Sequence, residues 1–314
     1  MDSPLFTSHL PKNVLVILNP HSGNGTSEQA LKKLEVVAAD RGSHLEVLRT
    51  RSAGHAVTFL KEHTLKDLDA ILSIGGDGTL NEVVNGLLMR KDRPDLPIGI
   101  IPCGTGNSLM KDLNCPDVEK ALQDIYSGKR SRLDVFRVEV DGIVQYGFNM
   151  VGCGLPASIN EYAEALRFFK KQRYNVGALK AILTYKRTGY ILRNETSGVE
   201  YTSDFIIASN TRHIASGLKI APGAQLEDGW LDVVFLKPFS RLSLIPLFYK
   251  LLRGNHERDE KVMVEKMKQF SVNAPSRKML NIDGEQHEFN ELHLSVLKQP
   301  IEILHPPDRG TASS

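Results

Sequence analysis

Apolar runs and segments of helical hydrophobic period alternate over residues 12–131. Runs of strand length predict β-strands, and the segments between them carry apolar residues at the spacing of a helix face. The predicted strands are Val14–Leu18, His44–Arg49, Ala70–Ile74 and Pro97–Ile101, and the predicted helices lie between Ala30 and Gly42 and near Ala56–His63, Leu80–Leu88 and Val118–Tyr126. Strands that alternate with helices are typical of βαβ units around a parallel sheet. Residues 12–131 are therefore predicted to form a Rossmann-like α/β domain.

The hydrophobic pattern changes at about Leu133, where strand-like alternation replaces the helical period. Asp-Gly pairs stand between alternating runs at Asp141-Gly142 and Asp283-Gly284, as they do in tight hairpins. Two helical stretches interrupt the pattern, at about residues 160–186 and 242–252. The sequence thus predicts a second, mainly antiparallel β domain over residues 132–307.

Composition limits the protein class. The chain has 314 residues, 41% of them hydrophobic and 24% charged, which fits two ordinary globular domains. The formal net charge of +2 excludes the strong basic excess of most nucleic-acid-binding proteins. Neither a secretory leader nor a long apolar run is recognisable, so we expect a cytoplasmic protein, at most peripherally associated with membranes. The three cysteines lack a Cys-x-x-Cys spacing, which argues against both a zinc site and a disulfide framework.

Glycine-rich turns follow three of the predicted strands, at Asn19–Gly25, Gly75–Thr79 and Gly104–Ser108. Ligands of open α/β sheets bind beyond the carboxyl ends of the strands, so the three turns are expected to share one edge. Glycine lets the backbone approach a ligand closely, and helix N-termini offer unpaired amides to anions. The turns predict a phosphate site, although any one of them alone could be only a tight turn.

Two common phosphate fingerprints are absent. No Gly-Lys-Ser/Thr ends a P-loop, and Gly23 and Gly25 are followed by Glu28 where a dinucleotide fold would place glycine. Asp77 distinguishes the second turn, because a carboxylate in a phosphate-binding loop repels the ligand unless it binds a cation or accepts a proton. This arrangement is kinase-like. A second acidic turn, Asp283-Gly-Glu285, reads equally well as an ordinary hairpin.

The motifs, taken in order along the chain, resemble those of the diacylglycerol kinase catalytic family, which includes bacterial lipid kinases and the sphingosine, ceramide and acylglycerol kinases. They are Asn19-Pro-x-Ser-Gly-x-Gly25, Thr50 with Gly54-His-Ala56, Gly75-Gly-Asp-Gly-Thr-Leu-Asn-Glu-Val-Val-Asn-Gly86, Pro102-x-Gly-Thr-Gly-Asn107, Ile220-Ala-Pro-x-Ala224, Asp228-Gly-x-Leu-Asp232 and Asp283-Gly-Glu285. The resemblance implies a nucleotide-binding α/β domain followed by a β-sandwich domain, with ATP between them.

The resemblance also implies roles for individual residues. Asp77 and Glu285 would share catalysis, with either one as the base, and Asp77 would act on the acceptor hydroxyl or on Mg²⁺. Residues implied to bind ATP are Asn19, Ser22, Gly23, Asn24, Gly25, Thr50, Gly75, Gly76, Gly78, Thr79, Gly104, Thr105, Gly106, Asn107 and, on a looser match, Lys180. Glu227 and Asp228 match the segment that holds a structural metal in bacterial members, although a metal-free surface turn fits them equally well.

A neutral lipid alcohol such as diacylglycerol is the expected acceptor. The segment Gly154–Ser158 offers none of the acidic residues that would hold the amine of a sphingoid base. Eight basic residues and no acidic one lie between Ala165 and Arg193, interleaved with apolar residues. This pattern is typical of a helix at an anionic membrane surface, and equally of a solvated helix packed by its apolar stripe.

Other functions stay open at this point. Sphingoid-base or ceramide kinases are the alternative lipid kinases. A relative of NAD kinase or phosphofructokinase would share the Gly-Gly-Asp-Gly loop, and a lipid-sensing scaffold would keep the fold without turnover. A homodimer is compatible with the sequence.

Overall fold

A computed structural model describes residues 10–306, apart from 105, 156, 159–161, 163–172, 185–186, 215–216 and 238–242. The side chains of residues 24, 173–175 and 178–179 also lie outside the description. The chain forms two compact units. One comprises the chain up to Leu133 and resumes at Pro300, and the other spans Asp134–Gln299.

The first unit is built on a parallel sheet whose central strands are buried apolar runs. Its strands are β1 (Asn13–Leu18), β2 (His44–Arg49), β3 (Ala70–Gly75), β4 (Ile98–Pro102) and β5 (Ser131–Leu133). Its helices are α1 (Thr26–Arg41), α2 (His55–Glu62), α3 (Asp77–Leu88), α4 (Ser108–Asp112) and α5 (Val118–Ile125). All six residues of β3 are buried, as expected for a strand covered on both faces. The four predicted strands and the α/β class are confirmed.

Two helix ends explain the sequence pattern. Gly42 ends α1 with φ +65°, the left-handed conformation that favours glycine, as the sequence predicted. Helix α3 starts at Asp77, three residues earlier than the apolar spacing indicated, because its first turn contains the polar and glycine residues of the loop. The short helix α4 carries too few residues to show a period and was not predicted.

The second unit contains the antiparallel β structure and two described helices. Its strands are β6 (Phe136–Val140), β7 (Ile143–Gly147), β8 (Met150–Gly154), β9 (Tyr190–Asn194), β10 (Glu200–Ser203), β11 (Phe205–Ser209), β12 (His213–Ile214), β13 (Leu218–Lys219), β14 (Leu231–Leu236), β15 (Val262–Met267), β16 (Gln269–Ile282) and β17 (Glu285–Val296). Its helices are α6 (Arg173–Thr184) and α7 (Leu244–Leu252). The large sheet runs β15-β14-β11-β8-β16-β17-β6-β7, with β9 also pairing to β16 and β10 to β9. The antiparallel β class is confirmed.

Both predicted Asp-Gly hairpins are present. Val140 pairs with Ile143, and Ile282 pairs with Glu285, so each loop contains only the aspartate and the glycine. All four loop residues have positive φ, which is the geometry of the type I′ turn. Of the predicted basic insert, Arg167, Lys170, Lys171 and Lys186 lie outside the described residues. Among the helices that the structure describes, none has the length and apolar character needed to span a bilayer.

The chain ends by returning to the first unit. Strand β18 (Ile301–Ile303) pairs in parallel with β4 and antiparallel with β5, which completes the sheet order β2-β1-β3-β4-β18-β5. Arg130 and Glu302 form a partly buried ion pair across this edge, with 2.8 Å between Nη1 and Oε2. The sequence analysis placed Ile301–Ile303 in the second domain, because a strand of three residues carries no signal of the sheet it joins.

The core of the β unit contains several buried aromatic rings. Phe136, Phe270 and Phe289 are at most 1% exposed, and the ring of Phe289 stacks on Tyr190 with 6.0 Å between centroids. Removing a buried ring takes away apolar contact and leaves a cavity that the surrounding sheet fills only in part. These rings are therefore expected to contribute to the stability of the second unit.

We expect Phe289→Ala to lower the free energy of unfolding by about 3–5 kcal/mol. Ile143, which is 72% exposed, supplies the control, because Ile143→Ala should change that free energy by less than about 0.5 kcal/mol. Urea unfolding followed by circular dichroism measures both. Equal losses in the two variants would contradict the assignment of Phe289 to the core.

Candidate functional site

Three glycine-rich loops meet at the carboxyl edge of the parallel sheet in the first unit. They follow β1, β3 and β4, which lie side by side. The Asn19 amide donates to the Ile74 carbonyl at 3.0 Å, and the Cys103 amide donates to the Gly75 carbonyl at 2.8 Å. The shared edge predicted from the sequence is thus observed.

Glycine is required where the loops touch. A Cβ atom on Gly104 would lie 2.5 Å from the Cα atom of Gly76, closer than real side chains come to a backbone. A Cβ atom on Gly23 would lie 2.3 Å from the carbonyl oxygen of Cys103, and Gly23 also has a φ of +60°. The three loops therefore pack with their backbones in contact. Main-chain atoms, rather than side chains, form the surface where the loops meet.

Asp77 is the acidic group of this surface. It is the first residue of α3 and is partly buried, and its Oδ2 accepts a hydrogen bond from the Ser108 amide at 3.0 Å. Burial raises the pKa of the Asp77 carboxyl above its ordinary value, and the hydrogen bonds from Ser108 only partly oppose that rise. The loop after β4 thus positions a carboxylate that comes from the loop after β3.

A second carboxylate fixes the neighbouring loop after β2. Glu82 on α3 accepts hydrogen bonds from the amides of Gly54 and Ala56, each at 3.0 Å, and so caps the first turn of α2. Thr50 is buried in the same loop, and its amide donates to the Leu18 carbonyl at 2.8 Å. The sequence analysis quoted Glu82 within a motif but did not find this capping role, which depends on two helices meeting.

Most of the other predicted nucleotide-binding residues lie on the same loops. Asn19, Ser22 and Gly25 belong to the loop after β1, and Gly78 and Thr79 belong to the first turn of α3. Asn107 has a φ of +46°, and its side-chain amide donates to the Gly104 carbonyl at 2.8 Å, which closes the loop that contains Gly106. The side chain of Asn24 and all of Thr105 lie outside the described residues. The first unit therefore brings these predicted residues together.

Glu285 and Lys180 belong to the second unit. Glu285 is exposed at the first position of β17, directly after the hairpin loop. Lys180 is exposed on α6, with its ammonium 4.5 Å from the centroid of the Tyr162 ring. The part of both residues in the site remains a prediction.

Asp283 has a role that the sequence did not show. Its carboxylate is buried and accepts three backbone hydrogen bonds, from Phe148 at 2.9 Å, Asn149 at 3.0 Å and Met150 at 2.8 Å. These bonds satisfy the carboxylate and tie the hairpin loop to the start of β8. Of the two acids in the Asp-Gly-Glu turn, Asp283 supports the backbone, and only Glu285 faces solvent.

In the segment predicted to hold a structural metal, the Lys266 side chain places a positive charge beside the carboxylates. The Lys266 ammonium contacts a carboxylate oxygen of Asp228 and lies 3.7 Å from Asp232 Oδ2. Asp134 nearby accepts a hydrogen bond from the Gly229 amide at 2.6 Å. Burial raises the pKa values of both Asp134 and Asp232. The oxygen donors fit a hard cation such as Mg²⁺, but Lys266 already supplies the positive charge that would otherwise be missing.

Comparison with known proteins identifies both units. A family model for the diacylglycerol kinase catalytic domain matches residues 13–138, and one for the YegS C-terminal NAD kinase β-sandwich-like domain matches residues 149–305. A diacylglycerol kinase of Bacillus subtilis is 29% identical over 95% of this chain and 98% of its own.

Solved structures share the fold. A diacylglycerol kinase from Bacillus anthracis superposes with a TM-score of 0.71 at 22% identity, over 95% of this chain and 98% of that one. An NAD kinase from Archaeoglobus fulgidus in complex with ATP superposes with a TM-score of 0.50 at 15% identity, over 93% of each chain. The two family models cover almost the whole chain in order and, together with the B. subtilis relative, show that the protein belongs to the diacylglycerol kinase catalytic-domain family of lipid kinases.

Proposed function

We propose that the protein transfers the γ-phosphoryl group of ATP to the hydroxyl group of diacylglycerol. The observation that carries the proposal is the Asp77 carboxylate at the start of α3, held by the Ser108 amide beside the packed glycine loops. Amides of such loops and of a helix N-terminus bind phosphate. A carboxylate among them has a use in phosphoryl transfer, which depends on alignment and charge neutralisation.

Asp77 and Glu285 share catalysis in this proposal, with either one as the base. A carboxylate oxygen is a ligand that Mg²⁺ prefers, so Asp77 fits the cation that accompanies a nucleoside triphosphate. Bound Mg²⁺ would neutralise phosphate charge. The backbone of the loops after β1, β3 and β4 would orient the phosphates, and Thr50 would lie toward the base.

The relatives and one sequence feature support a lipid acceptor. The B. subtilis protein that is 29% identical to this chain is named diacylglycerol kinase, which favours diacylglycerol over a sphingoid base, ceramide or NAD. The segment Gly154–Ser158 offers no acidic residue to the amine of a sphingoid base, which supports the same choice.

Asp77→Asn is expected to lower the rate of phosphoryl transfer by about 10²-fold or more, the scale of general-base catalysis. Asparagine keeps an oxygen that can accept the Ser108 hydrogen bond, so the loop geometry should remain. The measurement is transfer of label from γ-labelled ATP into a panel of diacylglycerol, sphingosine, ceramide and NAD. Asp92, an exposed partner of Arg90, gives the control Asp92→Asn, which should retain the parent rate.

The panel separates the proposal from its rivals. Label in diacylglycerol that depends on Asp77 supports it. Label chiefly in sphingosine, ceramide or NAD would show that this compound, and not diacylglycerol, is the acceptor. Label in none of the four compounds would favour a lipid-sensing scaffold without turnover. A variant at position 77 that keeps the full rate would remove the role of this carboxylate.

Asp77→Asn, which should slow phosphoryl transfer, should nevertheless stabilise the fold at neutral pH. Because burial raises the pKa of Asp77 above its unfolded value, the folded state binds the proton more tightly, and the ionised carboxylate destabilises the fold at neutral pH. Asp77→Asn should therefore raise the midpoint of thermal unfolding at pH 7. The gain should shrink as the pH falls toward about 3, below the unfolded-state pKa of about 3.9, where the carboxyl group is largely protonated in both states. Calorimetry at both pH values tests this, and a lower midpoint for the variant at pH 7 would contradict it.

Contact with a membrane surface belongs to the proposal as well. Helices α6 and α7 pack into one apolar cluster through Ile182 and Leu247, yet each leaves apolar side chains in solvent. Leu183 is 64% exposed on α6, and Tyr249 and Leu252 are about half exposed on α7. Basic Lys180 precedes Leu183 by three residues on α6, and the guanidinium of Arg253 lies 4.3 Å from the centroid of the Tyr249 ring, a combination that favours an anionic lipid interface.

Paired substitutions test this surface. Leu183→Glu combined with Leu252→Glu is expected to abolish flotation with phosphatidylserine-containing vesicles, because each change adds negative charge and removes an apolar anchor. Val36 on α1 and Ile143 on β7 are 64% and 72% exposed, so Val36→Glu combined with Ile143→Glu adds the same charge elsewhere and should leave flotation intact. Parent binding should weaken with salt. Flotation that survives the double substitution would place the membrane contact on another surface.

A further inference from the structure

Three buried side chains meet inside the first unit. Two of them are close in the sequence, and the third lies 181 positions from Asp124. Cys115 precedes α5, Asp124 lies in its last turn and His305 follows β18; they are 1%, 5% and 0% exposed. One thiol, one carboxylate oxygen and one imidazole nitrogen from these residues all lie within 4.8 Å of one another. The spacing of the cysteines gave no sign of this cluster, because two of its members are not cysteines.

The polar atoms of the cluster are poorly satisfied by the protein. His305 Nδ1 lies 3.4 Å from Asp124 Oδ2, longer than the usual range of about 2.7–3.2 Å. The other ring nitrogen, Nε2, is fully buried and has no hydrogen-bond partner among the described residues. The Cys115 thiol makes only a 3.9 Å contact with the Asp117 carbonyl. An imidazole with no exposure and such weak partners is costly unless another group binds it.

We infer that Cys115, Asp124 and His305 form a zinc site that ties the C-terminal segment to α5. A thiolate, an imidazole and a carboxylate are the donors that zinc takes, and a three-residue set leaves the fourth tetrahedral position to water. The thiol proton leaves to solvent on binding. A thiolate and a carboxylate then balance the double positive charge of the ion, so the buried site is neutral. Hard cations such as Mg²⁺ are disfavoured by the sulfur ligand.

Lys120 is the cation that a bound metal ion displaces from this cluster. Its ammonium contacts the other oxygen of Asp124, but the Lys120 side chain is 38% exposed and can withdraw into solvent when a metal ion binds. Zinc binds cysteine as the thiolate, so the ion also replaces the proton of the Cys115 thiol.

Cobalt(II) titration of the reduced full chain tests the site, because a thiolate ligand produces a charge-transfer band in the near ultraviolet. The parent should take up an equimolar amount of cobalt with this band, and zinc should displace it. Cys103→Ala with Cys153→Ala leaves Cys115 as the last of the three cysteines and should keep the band. Cys115→Ser should lose it, and His305→Gln should weaken binding by about tenfold or more.

Lys120→Met tests for a change in cobalt affinity, which a cluster with a purely structural role would not show. Removing the competing ammonium should tighten cobalt binding by about threefold, the scale of a partly exposed ion pair. Circular dichroism of every variant establishes that it is folded, and zinc should raise the unfolding midpoint of the parent but not of Cys115→Ser. No charge-transfer band in the parent, or a band that persists in Cys115→Ser, would overturn the inference.

Discussion

The direct contact between glycine loops at the carboxyl edge of the parallel sheet is the constraint on which the candidate site depends. Gly76 meets Gly104, and Gly23 meets the carbonyl group of Cys103, at distances that no Cβ atom could tolerate. Because the loops touch through their backbones, the first helical turn after β3 comes within hydrogen-bond reach of the loop after β4. That approach is what allows the Ser108 amide to hold Asp77.

The acidic residues of the two units differ in how well hydrogen bonds from the protein stabilise their carboxylates. This difference separates residues with a structural role from residues with a chemical role. Asp283 accepts three backbone amides, and Glu82 accepts two. Asp77 accepts hydrogen bonds from the amide and the side chain of Ser108, which only partly oppose the rise in its pKa that burial causes. A carboxylate whose hydrogen bonds do not offset its desolvation destabilises the fold while it is ionised. Such a cost is common at sites where a ligand or cation completes the arrangement.

Local patterns explain why so much of the fold could be predicted. Buried runs such as Ala70–Gly75 mark strands covered on both faces, and Asp141-Gly142 and Asp283-Gly284 mark tight hairpins, because only a few residues adopt positive φ readily. The glycine-rich turns, with Asp77 in one of them, were predicted to share one edge because they follow strands of a parallel sheet. The early start of α3 and the short helix α4 were missed, since neither contains a full period of apolar residues.

The sequence by itself therefore determined the elements, their class and the residues of the glycine-rich loops, because each depends on a few neighbours in the chain. Only the tertiary structure decided which polar groups become partners. Asp283 meets Phe148 across 135 positions, and His305 meets Asp124 across 181. The return of β18 to the first sheet likewise has no local signature. Contacts at such separations are selected by packing, so they are decided only when the chain has folded.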